Sequence, residues 1–219
     1  MTHYKLWVVV VGAVAVAWMG AAIAADDEYT LKDYMPRTVG STWTMQTAGG
    51  GQQSTMEVLK PEDIGGQQVS ALVTKTADGA VRSGSYETVD ADNLIVYGSL
   101  FGARQGGGEP RKSLYDPPAK LNGKMKAGDV QEATYKTTMG NQTQQVTMKL
   151  TLEAVESVTV PKGTFEGCLK LVTTTQFGDR EMKRTTWYAR GVGTVKTERQ
   201  GRNGETVVTE LVDYKLVAE

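Results

Sequence analysis

Polar and apolar residues alternate along most of this chain. The clearest run sets Val146, Met148, Leu150 and Leu152 against Thr147, Lys149 and Thr151, a period of two that turns one face of a strand to a core and the other to water. Shorter runs rich in Val, Thr, Tyr and Trp recur between Gly, Asn, Asp and Pro clusters, and they predict strands near 41–47, 54–59, 68–76, 81–89, 93–99, 132–139, 144–160, 168–176, 183–189, 193–200 and 205–216. Turn chemistry at Asp78-Gly79, Gly140-Asn141, Gly178-Asp179 and Asn203-Gly204 favours hairpins and therefore antiparallel pairing. The stretch from Gly102 to Gly128 holds Gly106-Gly107-Gly108, Pro110 and Pro117-Pro118, and reads as one long surface loop. No sustained period of 3.6 competes with this pattern in the rest of the chain beyond the N-terminus. The expected class is nearly all-β: a single curved antiparallel sheet, or a half-open barrel like that of the periplasmic lipoprotein carriers, with one long Gly/Pro-rich loop.

The one strongly apolar stretch lies at the start. Lys5 precedes an apolar run from Leu6 to Trp18, and Ala22-Ile23-Ala24 supplies the small residues a signal peptidase needs, with Asp26-Asp27-Glu28 following at once. Residues 1–24 thus read as a cleavable signal peptide and residues 25–219 as a single β-rich domain, periplasmic or secreted. The alternative is an uncleaved anchor, because the apolar run to Ala25 is long enough to cross a bilayer. No Cys stands near the junction to carry a lipid.

Composition removes whole classes of chemistry. The sole histidine is His3 and the sole cysteine is Cys168, so the mature chain would hold no imidazole and no disulfide, and the usual zinc and copper ligand sets cannot be assembled. No metal, cofactor or catalytic residue is expected. A serine or cysteine nucleophile would lack its usual base, and Cys168, set among Leu169, Leu171 and Val172, reads as a buried apolar group. Asp90-Ala91-Asp92-Asn93 lacks the spacing of a calcium loop and reads as a turn. The formal net charge is −1, which gives no electrostatic case for nucleic acid or an anionic membrane. Stable membrane insertion is not expected once the signal is removed.

What remains is aromatic. Trp43 and Trp187 each sit in a Thr-rich strand run, and Tyr188 follows Trp187. Packing on one apolar sheet face is the plain reading for the two indoles, and contact with a ligand inside a curved sheet the sharper one, so Trp43, Trp187 and Tyr188 are the candidate ligand-binding residues.

Several phrases together carry a resemblance: Tyr34-Met35-Pro36 with Gly40 and Trp43, then Val160-Pro161-Lys162-Gly163-Thr164-Phe165 leading to Cys168, then Trp187-Tyr188-Ala189-Arg190-Gly191-Val192-Gly193. In these the chain resembles the TapB-like family of uncharacterised exported bacterial proteins. The resemblance implies an envelope or secreted location and an antiparallel sheet, with no assigned activity to carry over. The functional expectation is a non-enzymatic binding module for an apolar small molecule, a lipid or another envelope-derived ligand. Its rivals are a structural protein that docks an envelope partner and a polysaccharide hydrolase built on paired carboxylates.

Overall fold

The computed structural model describes residues 27–103, 109–139, 142–201 and 203–218. The expected signal peptide, its expected cleavage point and Gly106-Gly107-Gly108 lie outside the described residues. In chain order the strands are β1 Glu28–Thr30, β2 Thr42–Thr47, β3 Gln53–Val58, β4 Glu62–Ile64, β5 Gln67–Val69, β6 Ala71–Lys75, β7 Val81–Val89 and β8 Asn93–Phe101. They continue as β9 Arg111–Asn122, β10 Lys124–Lys126, β11 Val130–Met139, β12 Gln142–Val160, β13 Gly163–Phe177, β14 Arg180–Ala189, β15 Gly193–Gln200 and β16 Thr206–Lys215. A 3-10 turn, Leu31–Asp33, follows β1. Every strand pair in the sheets is antiparallel, as the hairpin signals require.

Twelve strands form a closed barrel in the order β11-β12-β13-β14-β15-β16-β2-β3-β6-β7-β8-β9. The expected sheet is therefore more complete than half-open, because β16 pairs with β2 through Thr209↔Thr47, Glu210↔Gln46 and Leu211↔Met45, while β9 meets β11 at Lys136↔Asp116 and Thr137↔Tyr115. Two small antiparallel pairs, β1 with β10 and β4 with β5, form two-stranded sheets of their own.

The long loop expected over 102–128 is corrected. It contains β9 and β10, and the long connection ends before Arg111. Proline normally breaks a ladder because it offers no N–H. Here Pro117 and Pro118 sit where β9 detaches from β8, between the Val96↔Ala119 and Gly98↔Leu114 pairs, so the missing donors cost no rung.

Face assignment follows from the registers. Leu171 pairs with Leu152 and with Thr186, Thr186 with Thr197, and Thr197 with Thr209. These positions share a face with Leu150 and Leu169, which belong to the buried cluster that also holds Leu94, Leu121, Tyr135 and Val146, so this is the interior. The opposite face carries Lys149, Lys170, Lys183, Lys196, Glu198 and Glu210 by the same pairings. An apolar inside and a charged outside invert the pattern of barrels whose outer face meets lipid.

The two ends of the barrel differ. At one end the segment before β2 packs into the interior: Tyr29, Leu31, Tyr34 and Met35 join the interior cluster. Leu31 N–H donates to Gly123 O at 2.7 Å, and Gly191 N–H donates to Asp33 O at 2.7 Å. The segment thus bridges from the β9–β10 junction to the β14–β15 turn and seals the base. Arg190 clamps it there, 5.1 Å over the Tyr34 ring and 3.2 Å from the Asp33 carboxylate. At the other end, the rim, the connections are turns containing Gly49, Gly79, Gly178 and Gly204, and the long connection after β8. A third cluster, with Ile64, Val69, Val73, Tyr86 and Leu100, lies under the β4–β5 hairpin.

Candidate functional site

The width of the barrel defines the site. Eight strands enclose a space that side chains just fill, whereas sixteen leave an aqueous channel. Twelve strands fall between, so the lumen needs a filling beyond its own wall residues. At the base the segment from Tyr29 to Met35 provides it. Toward the rim the inward positions mix small hydroxyls with apolar side chains: Thr74, Ser83, Ser85, Ser99, Thr175 and Thr197 face in by register and are half-buried, and Phe101, Phe177 and Met182 face in by the same pairings. Threonine and serine are good strand residues whose hydroxyls can be satisfied by neighbours or water. Several bond across the wall, with Thr197 and Thr209 at 2.6 Å and Ser113 and Thr137 at 2.5 Å. Tyr115 and Tyr135 stack on the same face, centroids 3.9 Å apart.

One carboxylate stands on the inward face of the described strands. Glu87 accepts from Arg37 Nε at 2.7 Å and from Ser85 Oγ at 2.8 Å, and both charged side chains of the Arg37–Glu87 pair are largely buried, at 14% and 12% exposure. Tyr188 lies within reach of this pair's field. Burial pushes its phenol up, Glu87 adds to the rise, and Arg37 and Arg184 oppose it. Tyr188 keeps partial contact with solvent although its phenol is deeply desolvated, the combination expected of a lumen-facing ring.

The three candidate residues separate. Tyr188 faces inward with Thr186 and Leu169. Trp43 also faces inward, beside Met45 and Leu211, but it is 1% exposed, and its Nε1 donates to Val192 O at 2.6 Å. Gly193, at φ +101°, lets the chain pass against this indole, since a Cβ there would lie 3.1 Å from Trp43 Nε1. Trp187 faces the other way: it pairs with Lys170 and Lys196, and Lys196 pairs with Glu210, which pairs with Gln46 on the face opposite Met45. The expectation that both indoles share one apolar sheet face is thus corrected. They belong to one buried cluster because that cluster, with Val158, Val160, Cys168 and Val195, takes in residues of both faces near the base.

Trp187 is 5% exposed despite facing out. Lys196 and Lys170 lie 4.6 Å and 5.7 Å over its ring, their stems covering apolar surface while their charges face the π-cloud. Its Nε1 donates to Glu156 Oε1 at 2.6 Å. The two indoles are packing residues with their donors satisfied, and among the three candidates Tyr188 lines the lumen.

Sequence reasoning did not pick out the arginines of the inward face. Thr173 pairs with Arg184, and Arg184 pairs directly with Arg199. Both share the face of Tyr188 and stand toward the rim. Arg82 is the extra residue of a bulge in β7, between the Thr74↔Ser83 and Lys75↔Val81 pairs. The available signal was parity: in β14, Arg184 alternates in step with Thr186 and Tyr188, whereas Lys183 alternates with Trp187. Two grooves elsewhere, of about 520 Å³ beside Asn93 and Lys120 and about 390 Å³ beside Met35 and Val89, border the sealed end and are open to solvent. Among the described residues no group of three or more His, Cys, Asp or Glu could hold a metal ion.

Comparison with known proteins places the chain in a family and adds little about activity. Residues 88–211 match the DUF3108-like family model, over half the chain, where the sequence motifs resemble the TapB-like family. No curated protein matches. Among solved structures, a candidate lipoprotein from Parabacteroides distasonis is 17% identical over 83% of this chain and 98% of that one, with a TM-score of 0.44. A candidate exported protein with a YmcC-like fold from Bacteroides fragilis is 16% identical over 84% and 99%, with a TM-score of 0.46. The hypothetical lipoprotein YmcC from Escherichia coli is 11% identical over 85% and 89%, with a TM-score of 0.35.

Proposed function

The chain belongs to the DUF3108-like family, and we propose that it is a non-enzymatic binding module of the bacterial envelope that holds its ligand in the rim half of the barrel lumen. Export follows from the N-terminal segment, cleaved after Ala24, and places the barrel in the periplasm or outside the cell. The finer placement in the TapB-like group rests on the motifs around Pro161 and Trp187. The observation that carries the binding reading is the division of the lumen: the base is filled by Tyr29, Leu31, Tyr34 and Met35, while the wall above it is lined by half-buried hydroxyls and Tyr188.

That division changes the expected ligand. An apolar small molecule or lipid chain would find the apolar base occupied by the protein's own segment and would meet Phe101, Phe177 and Met182 above it only among hydroxyls and arginines. The rim half suits an envelope-derived molecule with polar groups, recognised by hydroxyls and an aromatic ring. A carboxylate hydrolase needs two acids facing each other, and Glu87, the inward acid, is already engaged by Arg37 and Ser85. Docking to an envelope partner through the rim loops is the second reading, favoured by the sealed base.

Native mass spectrometry of the protein purified from its own envelope tests the proposal. A retained adduct is expected, and Thr175→Trp, which fills the lumen, should abolish it without a large change in the urea midpoint. An adduct that persists in Thr175→Trp would move the binding site out of the lumen.

A further inference from the structure

Charge is sorted by face in this barrel. The outward face mixes lysines with acids, as in the Lys170–Glu153 pair at 2.5 Å and the Lys196–Glu198 pair at 3.0 Å. The inward rim carries arginines. Arg184 and Arg199 are direct cross-strand neighbours, an arrangement of like charges that destabilises a sheet unless something neutralises it. Neither makes an ion pair among the described residues, and the inward acid Glu87 is spent on Arg37. Arg199 has one long bond, from Nη1 to Gln200 O at 3.5 Å.

Burial first, then the charges of Arg82 and Arg184, hold the Arg199 guanidinium below its ordinary value. The Arg184–Arg199 pair thus aims two guanidinium groups at the barrel mouth, and the half-buried hydroxyl of Thr197 adjoins it.

We propose that Arg184 and Arg199 form an oxyanion-binding site at the barrel mouth, taking a phosphate or carboxylate group carried by a hydroxyl-rich, sugar-like molecule. Guanidinium forks match such groups bidentately, where lysines would act only as point charges. The inference rests on the lumen-binding reading and names the chemistry of that ligand. A bound oxyanion would neutralise the repulsion between the paired guanidinium groups, so binding should be visible as added stability.

The experiment is thermal unfolding at matched ionic strength, in chloride, with glucose 6-phosphate, with glucuronate, and with glucose as the neutral control. The wild type is expected to gain stability from at least one of the two anionic sugars and not from glucose, and the arm that acts distinguishes phosphate from carboxylate. The double variant Arg184→Gln, Arg199→Gln should lose that gain at least tenfold in ligand concentration, while melting in chloride at or above the wild-type temperature. Lys183→Gln, on the outer face, should keep the gain. No gain in the wild type, or an equal loss in Lys183→Gln, overturns the site. An adduct from the envelope that survives in the double variant would sink the oxyanion site and leave lumen binding standing.

Discussion

Replacing Trp43 by Ala removes a ring that is 1% exposed, between β16 and β3, and leaves the Val192 carbonyl without its donor. Cutting a buried aromatic to Ala costs about 3–5 kcal/mol, and the lost hydrogen bond about 1 kcal/mol. With a urea slope of roughly 2–3 kcal/mol/M for a chain of this size, the midpoint should fall by about 1.3–3 M. Trp43→Phe keeps most of the ring and loses the Nε1 donor, so its fall should stay near the hydrogen-bond cost.

The neighbouring glycine makes the reasoning sharper. Gly193→Ala meets two penalties: a left-handed φ of +101°, and a Cβ about 3.1 Å from Trp43 Nε1, with two more ring carbons at 3.2 Å. The first costs about 1–2 kcal/mol in any background. The second vanishes once the indole is gone. A double-mutant cycle on urea midpoints should therefore show coupling of about 1 kcal/mol, with Gly193→Ala less harmful in the Trp43→Ala protein. Strict additivity would refute the close approach of the β14–β15 turn to the indole, and an unchanged midpoint in Trp43→Ala would refute its role in the core.

Two further outcomes follow from single groups. Burial, with the Glu156 charge adding to it, pushes the Cys168 thiol up to about 11; relative to an ordinary thiol near 9, that lowers the thiolate fraction at neutral pH about a hundredfold. Maleimide labelling should be slower than for a free thiol by at least that factor until denaturant is added, and labelling of folded protein at the free-thiol rate would contradict the buried position. Burial and the hydrogen bond to Glu62 push the Tyr86 phenol up to about 12. A raised folded value contributes stability that is complete below the unfolded value near 10 and is lost as pH climbs through 12, a loss on the order of 2 kcal/mol. Tyr86→Phe should be weaker at pH 8 yet flatter in urea midpoint between pH 10 and 12, and an unchanged slope there would reject the linkage.

The strands were legible because most are half-buried and obey a period of two, β12 most plainly, with Val146, Met148, Leu150 and Leu152 inside. β9 was hidden by Pro117-Pro118, which local rules assign to a loop, and only the gap in its pairing with β8 shows why prolines fit there. Three-residue strands such as β1, β4 and β10 are too short for any period to register. Closure was not legible, since β16 meets β2 across more than 150 residues of sequence with no local signal of pairing. The site suffered for the same reason. Tyr188 was found as an aromatic in a strand, but which parity of β14 faces inward depends on the closed barrel, and so the meaning of Arg184 depended on it too.

Net charge misleads for the same geometric reason. A formal charge of −1 argues against partners that sample the whole outer surface, such as a duplex or an anionic bilayer, because there lysines and acids are interleaved at distances like the 2.5 Å of Lys170 and Glu153. The argument does not extend to a space that the outer surface screens. Inside the rim the described strands present Arg184 and the half-buried Arg199 against one neutralised acid, and low-dielectric walls concentrate the field of unpaired charges. A molecule small enough to pass the rim meets a positive site, whereas a large polyanion meets a balanced exterior. The sorting of arginine inward and lysine outward therefore selects by size before it selects by charge, and raising the salt concentration should weaken the small-anion effect less than it would weaken binding at an exposed basic patch.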